Sequence, residues 1–189
     1  LVKAEDGREM HKSWGNTIWF DDAAEKMGVD VMRWLYASQN PEHNLLFGYS
    51  HGDGIRKKLI QFWNSYSFFA TYAEVDGFDP RKINISDADL NIMDKWIISK
   101  LHLFIKESNT ALNGFSSETM MKKFELFLDE LSNWYIRRSR RRFWKSEDDD
   151  DKQAAYLVLY EVLAKVITVL APILPFVTEN IYQNLVRKM

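Results

Sequence analysis

Through most of this chain, apolar residues recur at intervals of three and four. Ile55, Leu59, Phe62, Tyr66, Phe69 and Ala73 form one such stripe, the spacing of a single helical face. Asp76-Gly77-Phe78-Asp79-Pro80 breaks it. A second long helix is expected from about Asp87 to Leu112, with Ile98, Leu101, Ile105 and Leu112 inward and Asn113-Gly114 as its stop. Ser116-Ser117-Glu118 can start a third, whose stripe is Met120, Phe124, Phe127, Leu131 and Trp134. A fourth begins near Asp150 and carries Tyr156, Tyr160, Leu163, Ile167 and Leu170. Pro172 and Pro175 interrupt it, and a last helix carries Val177, Ile181 and Leu185.

The first fifty residues read differently. Leu1 to Asn16 has charge, two glycines and no period, as an exposed loop would. Asp21 to Met27 predicts a short helix stopped by Gly28, and Asp30 is a plausible N-cap for another through Ala37, ended by Gln39-Asn40-Pro41. Glu42 to Gly54 is loop-like, and no alternating strand pattern occurs anywhere. The expected fold is all-α: a helix bundle over residues 51–189 with a short N-terminal loop and linker appendage over residues 1–50. Trp63 and Trp96 are expected in its core.

Composition narrows the chemistry. The chain has 189 residues, 46% of them apolar, and a net charge of -2. Any binding of nucleic acid must therefore rest on a local patch rather than on a global basic field. There is no cysteine, and the four histidines (His11, His43, His51, His102) form no close pair, so no metal site is expected. The longest apolar run, Val166 to Val177, is too short for a bilayer and holds two prolines, so no membrane partner is expected. No signal peptide is visible at the start. The chain opens on Leu1 and reads as a piece of a larger protein.

The local patch is Arg137-Arg138-Ser139-Arg140-Arg141-Arg142-Phe143-Trp144. If the third helix continues at ~100° per residue, its core stripe runs straight into Arg138, Arg141 and Arg142. Arg137 and Arg140 widen this to an arc of roughly 200° on the same geometry. Trp144 falls inside the arc, while Tyr135, Ile136, Ser139 and Phe143 lie on the other side. A core cannot hold so many unpaired guanidinium groups. On charge alone two readings stay open. Glu147 and Asp148 to Asp151 follow at once and can make a solvated turn. Alternatively the arginines meet an anionic partner, with an exposed ring available for stacking on a base. Arg137, at the edge of the arc, is the one expected to turn toward the protein.

Several stretches resemble class I aminoacyl-tRNA synthetases, and most closely the isoleucyl-tRNA synthetases. Asn133-Trp134-Tyr135-Ile136 together with the arginine run is similar to a segment of that family's anticodon-binding domain. Trp63-Asn64-Ser65-Tyr66-Ser67-Phe68-Phe69 and Asp94-Lys95-Trp96-Ile97-Ile98-Ser99-Lys100-Leu101 resemble its first and second bundle helices. Leu170-Ala171-Pro172-Ile173-Leu174-Pro175-Phe176-Val177-Thr178-Glu179 resembles its proline-broken helix. Met10-His11-Lys12-Ser13-Trp14-Gly15-Asn16 resembles the second class I signature, Lys-Met-Ser-Lys-Ser, extended by Leu-Gly-Asn, with Glu9 standing where the first lysine would be. Gly28-Val29-Asp30-Val31-Met32-Arg33-Trp34 resembles the linker that follows this loop.

The resemblance implies that residues 1–50 are the end of a catalytic region and residues 51–189 an anticodon-binding bundle. It implies an ATP-binding loop at Met10, His11, Lys12 and Ser13, with Lys12 catalytic toward the triphosphate. Arg137, Arg138, Arg140, Arg141, Arg142 and Trp144 would contact tRNA(Ile). The parent enzyme, an isoleucine–tRNA ligase of the cytoplasm, would use ATP with Mg and isoleucine. This fragment, which lacks the His-Ile-Gly-His signature, would hold no cofactor, and it would bind neither DNA nor membrane. A valyl or leucyl relative, or a helical protein-interaction module, are the alternatives.

Overall fold

The computed structural model describes residues 1–82, 85, 88–144 and 150–188. Its elements run β1 (Val2–Ala4), a 3₁₀ turn at Lys12–Trp14, α1 (Phe20–Met27), α2 (Val29–Ala37), β2 (Leu45–Phe47), α3 (Tyr49–Asp76), α4 (Ile92–Asn113), α5 (Ser117–Asp129), a π-helical segment (Glu130–Ile136), α6 (Arg137–Trp144), α7 (Asp150–Leu170) and α8 (Pro175–Leu185).

The all-α expectation holds for the bundle. α4 packs on both α5 and α7, and α7 also packs on α8, α6 and α3. Phe62, Phe69, Phe124, Tyr135, Phe143 and Tyr156 are fully or almost fully buried. Removing each such ring from water contributes about 1.5–3 kcal/mol. Their edges meet at near right angles: Phe62 with Phe124 at 5.6 Å, and Phe143 with Tyr156 at 4.9 Å. α7 is apolar and long enough to cross a bilayer by composition, with a mean hydropathy of 1.5. Its apolarity is accounted for by burial on most of its faces, from Ala154 to Leu170.

Several expectations are corrected. Strands do occur: β1 and β2 pair in parallel, Val2 opposite Leu45 and Ala4 opposite Phe47. Three residues are too few to show a period of two. The first bundle helix begins at Tyr49, inside the stretch read as loop. Gly52 belongs to it, because a Cβ there would lie 2.9 Å from the Met27 side chain of α1. On α4 the buried face is Ile97, Leu101, Phe104, Ser108 and Ala111: Leu101 is inward as expected, while Ile97, Phe104 and Ala111 take the places expected for Ile98, Ile105 and Leu112. Trp63 and Trp96 are not core: Trp63 is exposed and Trp96 half-buried.

α4 starts at Ile92 with a capping box. The Asn91 side chain accepts from the Met93 and Asp94 amides, and Asp94 Oδ2 accepts from the Asn91 amide at 3.1 Å. The expected start near Asp87 lies outside the described residues.

The N-terminal unit is fastened to the far end of the chain. Asp30 does not cap its own helix, whose N-cap is Gly28. Its carboxylate instead accepts from the amides of Val177 at 2.6 Å and Phe176 at 3.4 Å, capping α8 across the fold. Burial pushes the Asp30 carboxyl above its ordinary pKa despite those amides. One turn on, Arg33 donates to the carbonyls of Ile173 (2.7 Å) and Pro172 (2.9 Å). α2 thus satisfies both the orphan amides opening α8 and two carbonyls of the corner before it.

Candidate nucleic-acid interface

The third helix does not keep one period. Residues Glu130–Ile136 are wound as a π-helix, which places about one extra residue in the turn. Everything downstream is rotated by ~100° relative to a regular helix. The core stripe Met120, Phe124, Phe127, Leu131 therefore continues into Tyr135, Ile136, Ser139 and Phe143, all buried. These are the residues that a constant period put on the outer side. Trp134 is turned out instead, 49% exposed.

The same rotation sorts the arginines. Arg137, Arg138, Arg140 and Arg141 are exposed, and among the described residues none of them forms an ion pair or hydrogen bond. Arg142 is the one that turns inward, in place of Arg137. Its side chain is 11% exposed and forks onto Asp94, Nη1 to Oδ1 at 2.7 Å and Nη2 to Oδ2 at 2.8 Å. Nη2 also meets the Asp151 carboxylate and backbone carbonyl, each at 2.9 Å. Asp94 is fully buried and accepts a further bond from the Tyr135 hydroxyl at 2.7 Å. Burial alone would lower the Arg142 pKa. The Asp94 carboxylate outweighs it, and the guanidinium is held above its ordinary value. Burial, then the Asp94 charge, push the Tyr135 phenol well up. Arg142 is thus a strut joining α4, the π segment, α6 and α7, and not a ligand-facing cation. Pairing with neighbouring acids holds for Arg142 and Asp151; Glu147, Asp148 and Asp149 lie outside the described residues.

What remains is a ridge with two flanks. Arg137 and Arg141 form its crest. Trp144, 55% exposed, ends it. On the α3 flank lies a cleft of about 280 Å³ bordered by Lys57, Asn64, Phe68, Ser132 and Arg140. The Arg140 guanidinium sits 5.9 Å from the Phe68 ring centre, and Gln61 donates to Ser132 Oγ at 3.0 Å across the base of the cleft. Sequence reasoning singled out neither Lys57, Asn64 nor Phe68 as site residues. Nothing in the spacing of α3 pairs them with α6, since their meeting depends on how α3 crosses the π segment.

The N-terminal loop is a separate, exposed site. Lys12 and Ser13 lie in the 3₁₀ turn, with Gly15 left-handed at φ 69° to close it. Asn16 ties the ends together: its Oδ1 accepts from the His11 amide at 2.9 Å and its Nδ2 donates to the Glu9 carbonyl at 2.8 Å. The Glu9 carboxylate faces His11 Nε2 at 3.1 Å, not Lys12. The Lys12 ammonium rests 4.6 Å from the Trp19 ring centre. Met10 is half-buried, whereas His11, Lys12 and Ser13 are exposed. The structure brings none of them to the arginine ridge. Among the described residues, no cluster of three histidines or acids could hold a metal ion.

Comparison with known proteins places this arrangement. Residues 94–189 match the model of the anticodon-binding domain of tRNA ligases. Isoleucine–tRNA ligases of Dehalococcoides mccartyi and Clostridium novyi are 40% and 41% identical over 185 and 187 residues. That of Pyrococcus furiosus is 36% identical over 188 residues. Each alignment takes in 96–98% of this chain but 18% of the relative, so the chain spans about a fifth of their length. The LeuRS–tRNA–LeuAMS ternary complex from Agrobacterium radiobacter shares the fold, with a TM-score of 0.70 at 16% identity over 98% of this chain and 22% of that one. The helices around the Asp94–Arg142 strut lie within or beside the matched residues, and by that match the chain belongs to the anticodon-binding domain family of the tRNA ligases.

Proposed function

We propose that this chain is the signature-loop and anticodon-binding part of an isoleucine–tRNA ligase, and that its own activity is to bind the anticodon arm of tRNA(Ile). The observation that carries this is the exposed, unpaired set Arg137, Arg138, Arg140 and Arg141 on a helix anchored from beneath by Arg142. Guanidinium groups held apart from acids are available to phosphate oxygens, which their planar fork matches two bonds at a time. Trp144 and the Phe68–Asn64 cleft supply ring faces and amide donors for an unstacked base beside the ridge. The identity of 36–41% to isoleucine enzymes supports isoleucine over valine or leucine as the amino acid of the parent.

In the parent, the donor set of the loop fits a triphosphate. Lys12 offers an exposed ammonium, Ser13 a hydroxyl and His11 a ring nitrogen, on a turn pinned by Asn16. ATP supplies an α-phosphate to be attacked by the amino-acid carboxylate. Lys12 would neutralise charge on the departing pyrophosphate oxygens, with Mg arriving on the triphosphate. This chain holds only that loop, so adenylate formation belongs to the parent and not to the fragment. The cytoplasm is the compartment this reading implies.

The test is binding of isoleucine tRNA at several salt concentrations. The logarithm of the affinity should fall linearly with that of salt, at about 0.7–0.9 per phosphate contacted. With three or four arginines engaged, the slope should be roughly -2 to -4 on the same rule. A salt-independent affinity, or no binding, overturns the reading.

A further inference from the structure

On the flank of α6 opposite the Phe68 cleft, α4 and the π segment enclose a second groove of about 490 Å³. It is bordered by Ile92, Trp96 and Trp134, with Lys100, Glu130 and Arg138 around them. Ile92 is 79% exposed, and with the two indoles it makes an open apolar surface at the first turn of a helix. The cations already lie on the rings: the Arg138 guanidinium is 4.9 Å from the Trp134 centre, and the Lys100 ammonium 5.8 Å from that of Trp96. The one acid, Glu130, is engaged with Lys100 at 2.5 Å, so it repels an anion little.

We propose that this groove takes one unpaired nucleobase of the same RNA that the arginine ridge binds, stacked on Trp134, with Arg138 moved onto the adjoining phosphate. The inference rests on the RNA-binding reading above. Three features select RNA over a protein partner. The groove is continuous with the ridge, since Arg138 belongs to both. Its rim is cationic where its floor is aromatic, the pairing that single-stranded nucleic acid fits. And the π segment that turns the arginines out is the same one that turns Trp134 out, so the two surfaces are presented together. Arg138 has no hydrogen-bond partner among the described residues, so leaving the ring breaks only a cation–π contact.

The experiment compares two RNA probes at one salt concentration: a synthetic hairpin carrying the isoleucine anticodon loop, and a fully paired duplex of equal length. Wild type is set against Trp134→Ala, Trp134→Phe and Arg141→Ala, with melting curves confirming the fold of each. Trp134→Ala should weaken hairpin binding about 5- to 150-fold, the range of base–aromatic stacking, and leave duplex binding unchanged. Trp134→Phe, which keeps a ring, should restore most of it. Arg141→Ala should weaken both probes alike. Hairpin binding unchanged by Trp134→Ala while Arg141→Ala still weakens it overturns the groove and spares the ridge. Equal losses on both probes for Trp134→Ala overturn it too, as a general charge or folding effect. If wild type binds neither probe, the reading beneath falls with it.

Discussion

The arginine ridge and the Lys12 loop, both exposed and basic, are held in opposite ways. The arginine ridge on α6 stands on a buried ion pair, Asp94–Arg142, that reaches into α4 and α7. The Lys12 loop is held at the surface, through Asn16, the left-handed Gly15, a bridge from Glu9 to Lys3 and the half-buried Met10, and the 3₁₀ turn that carries Lys12 buries none of its residues. A surface built on the core can act without help. An exposed turn with none of its residues buried holds its cation less firmly.

The largest expected effect breaks the ridge from beneath. Asp94→Ala takes the buried fork from Arg142, which keeps Asp151, and the acceptor from the Tyr135 hydroxyl, and should cost about 3 kcal/mol in urea unfolding. Replacing Asp94 and Arg142 together by leucine and methionine should recover much of that loss. Lys12→Ala should stay within about 0.5 kcal/mol of wild type. A loss for Lys12→Ala as large as that for Asp94→Ala would erase the contrast.

Next comes the ligand. Arg141→Ala should weaken tRNA binding uniformly across sequences and lower the salt slope by about one, whereas Lys12→Ala should leave both unchanged in this chain. Filter binding across a salt series reads the two together.

A smaller effect tests the attachment of the loop-bearing unit. Asp30→Ala removes the borrowed cap of α8 and should cost about 1 kcal/mol in thermal unfolding, while Asp30→Asn keeps an acceptor and should cost less. Acid titration of stability separates two paired carboxylates, one buried (Asp30) and one near the surface (Asp76). Burial raises the folded pKa of Asp30, so its contribution is full below the unfolded value and fades as pH rises through the folded one. Asp76 runs the other way. Burial opposes its ionisation, but Lys152, at 2.7 Å, and the Tyr156 hydroxyl outweigh it and lower its pKa. Its contribution is present above the unfolded value and fades as pH falls through the folded one. Asp30→Asn and Asp76→Asn should therefore change the acid limb of the stability curve with opposite sign.

The smallest effect is expected from deleting Asn133 in the π segment. One residue fewer restores a regular helical turn without turning either end, so melting and tRNA binding should stay close to wild type. A rotated ridge, seen as lost binding with helix content intact, would overturn the π account.

These contrasts mark how far the sequence could be read. The stripes of α3, α5, α7 and α8 were legible because burial on one side imposes a period of three and four. The turn of α6 was not, since a π turn changes the period without a composition signal, and Trp134 reads equally well as core. Phe143 and Tyr135 were the available clue: large rings interleaved with arginines need somewhere to be buried. Asp94 could be read as a helix-start residue but not as the partner of Arg142, 48 residues on, because that pairing depends on packing. In the N-terminal unit the exposed turn around Lys12 was legible in the charge and the glycines of that stretch. The three-residue strand pair and the reach of Asp30 to α8 were not, being contacts between distant segments with no local signature.

That reach has a mechanical consequence. Because α2 grips the corner at residues 172–177 by a carboxylate on amides and a guanidinium on carbonyls, the front of the chain has no free pivot. Swinging it would mean unclasping both at once. The spacing between α2 and the opening of α8 is thus set like the jaws of a fixed gauge.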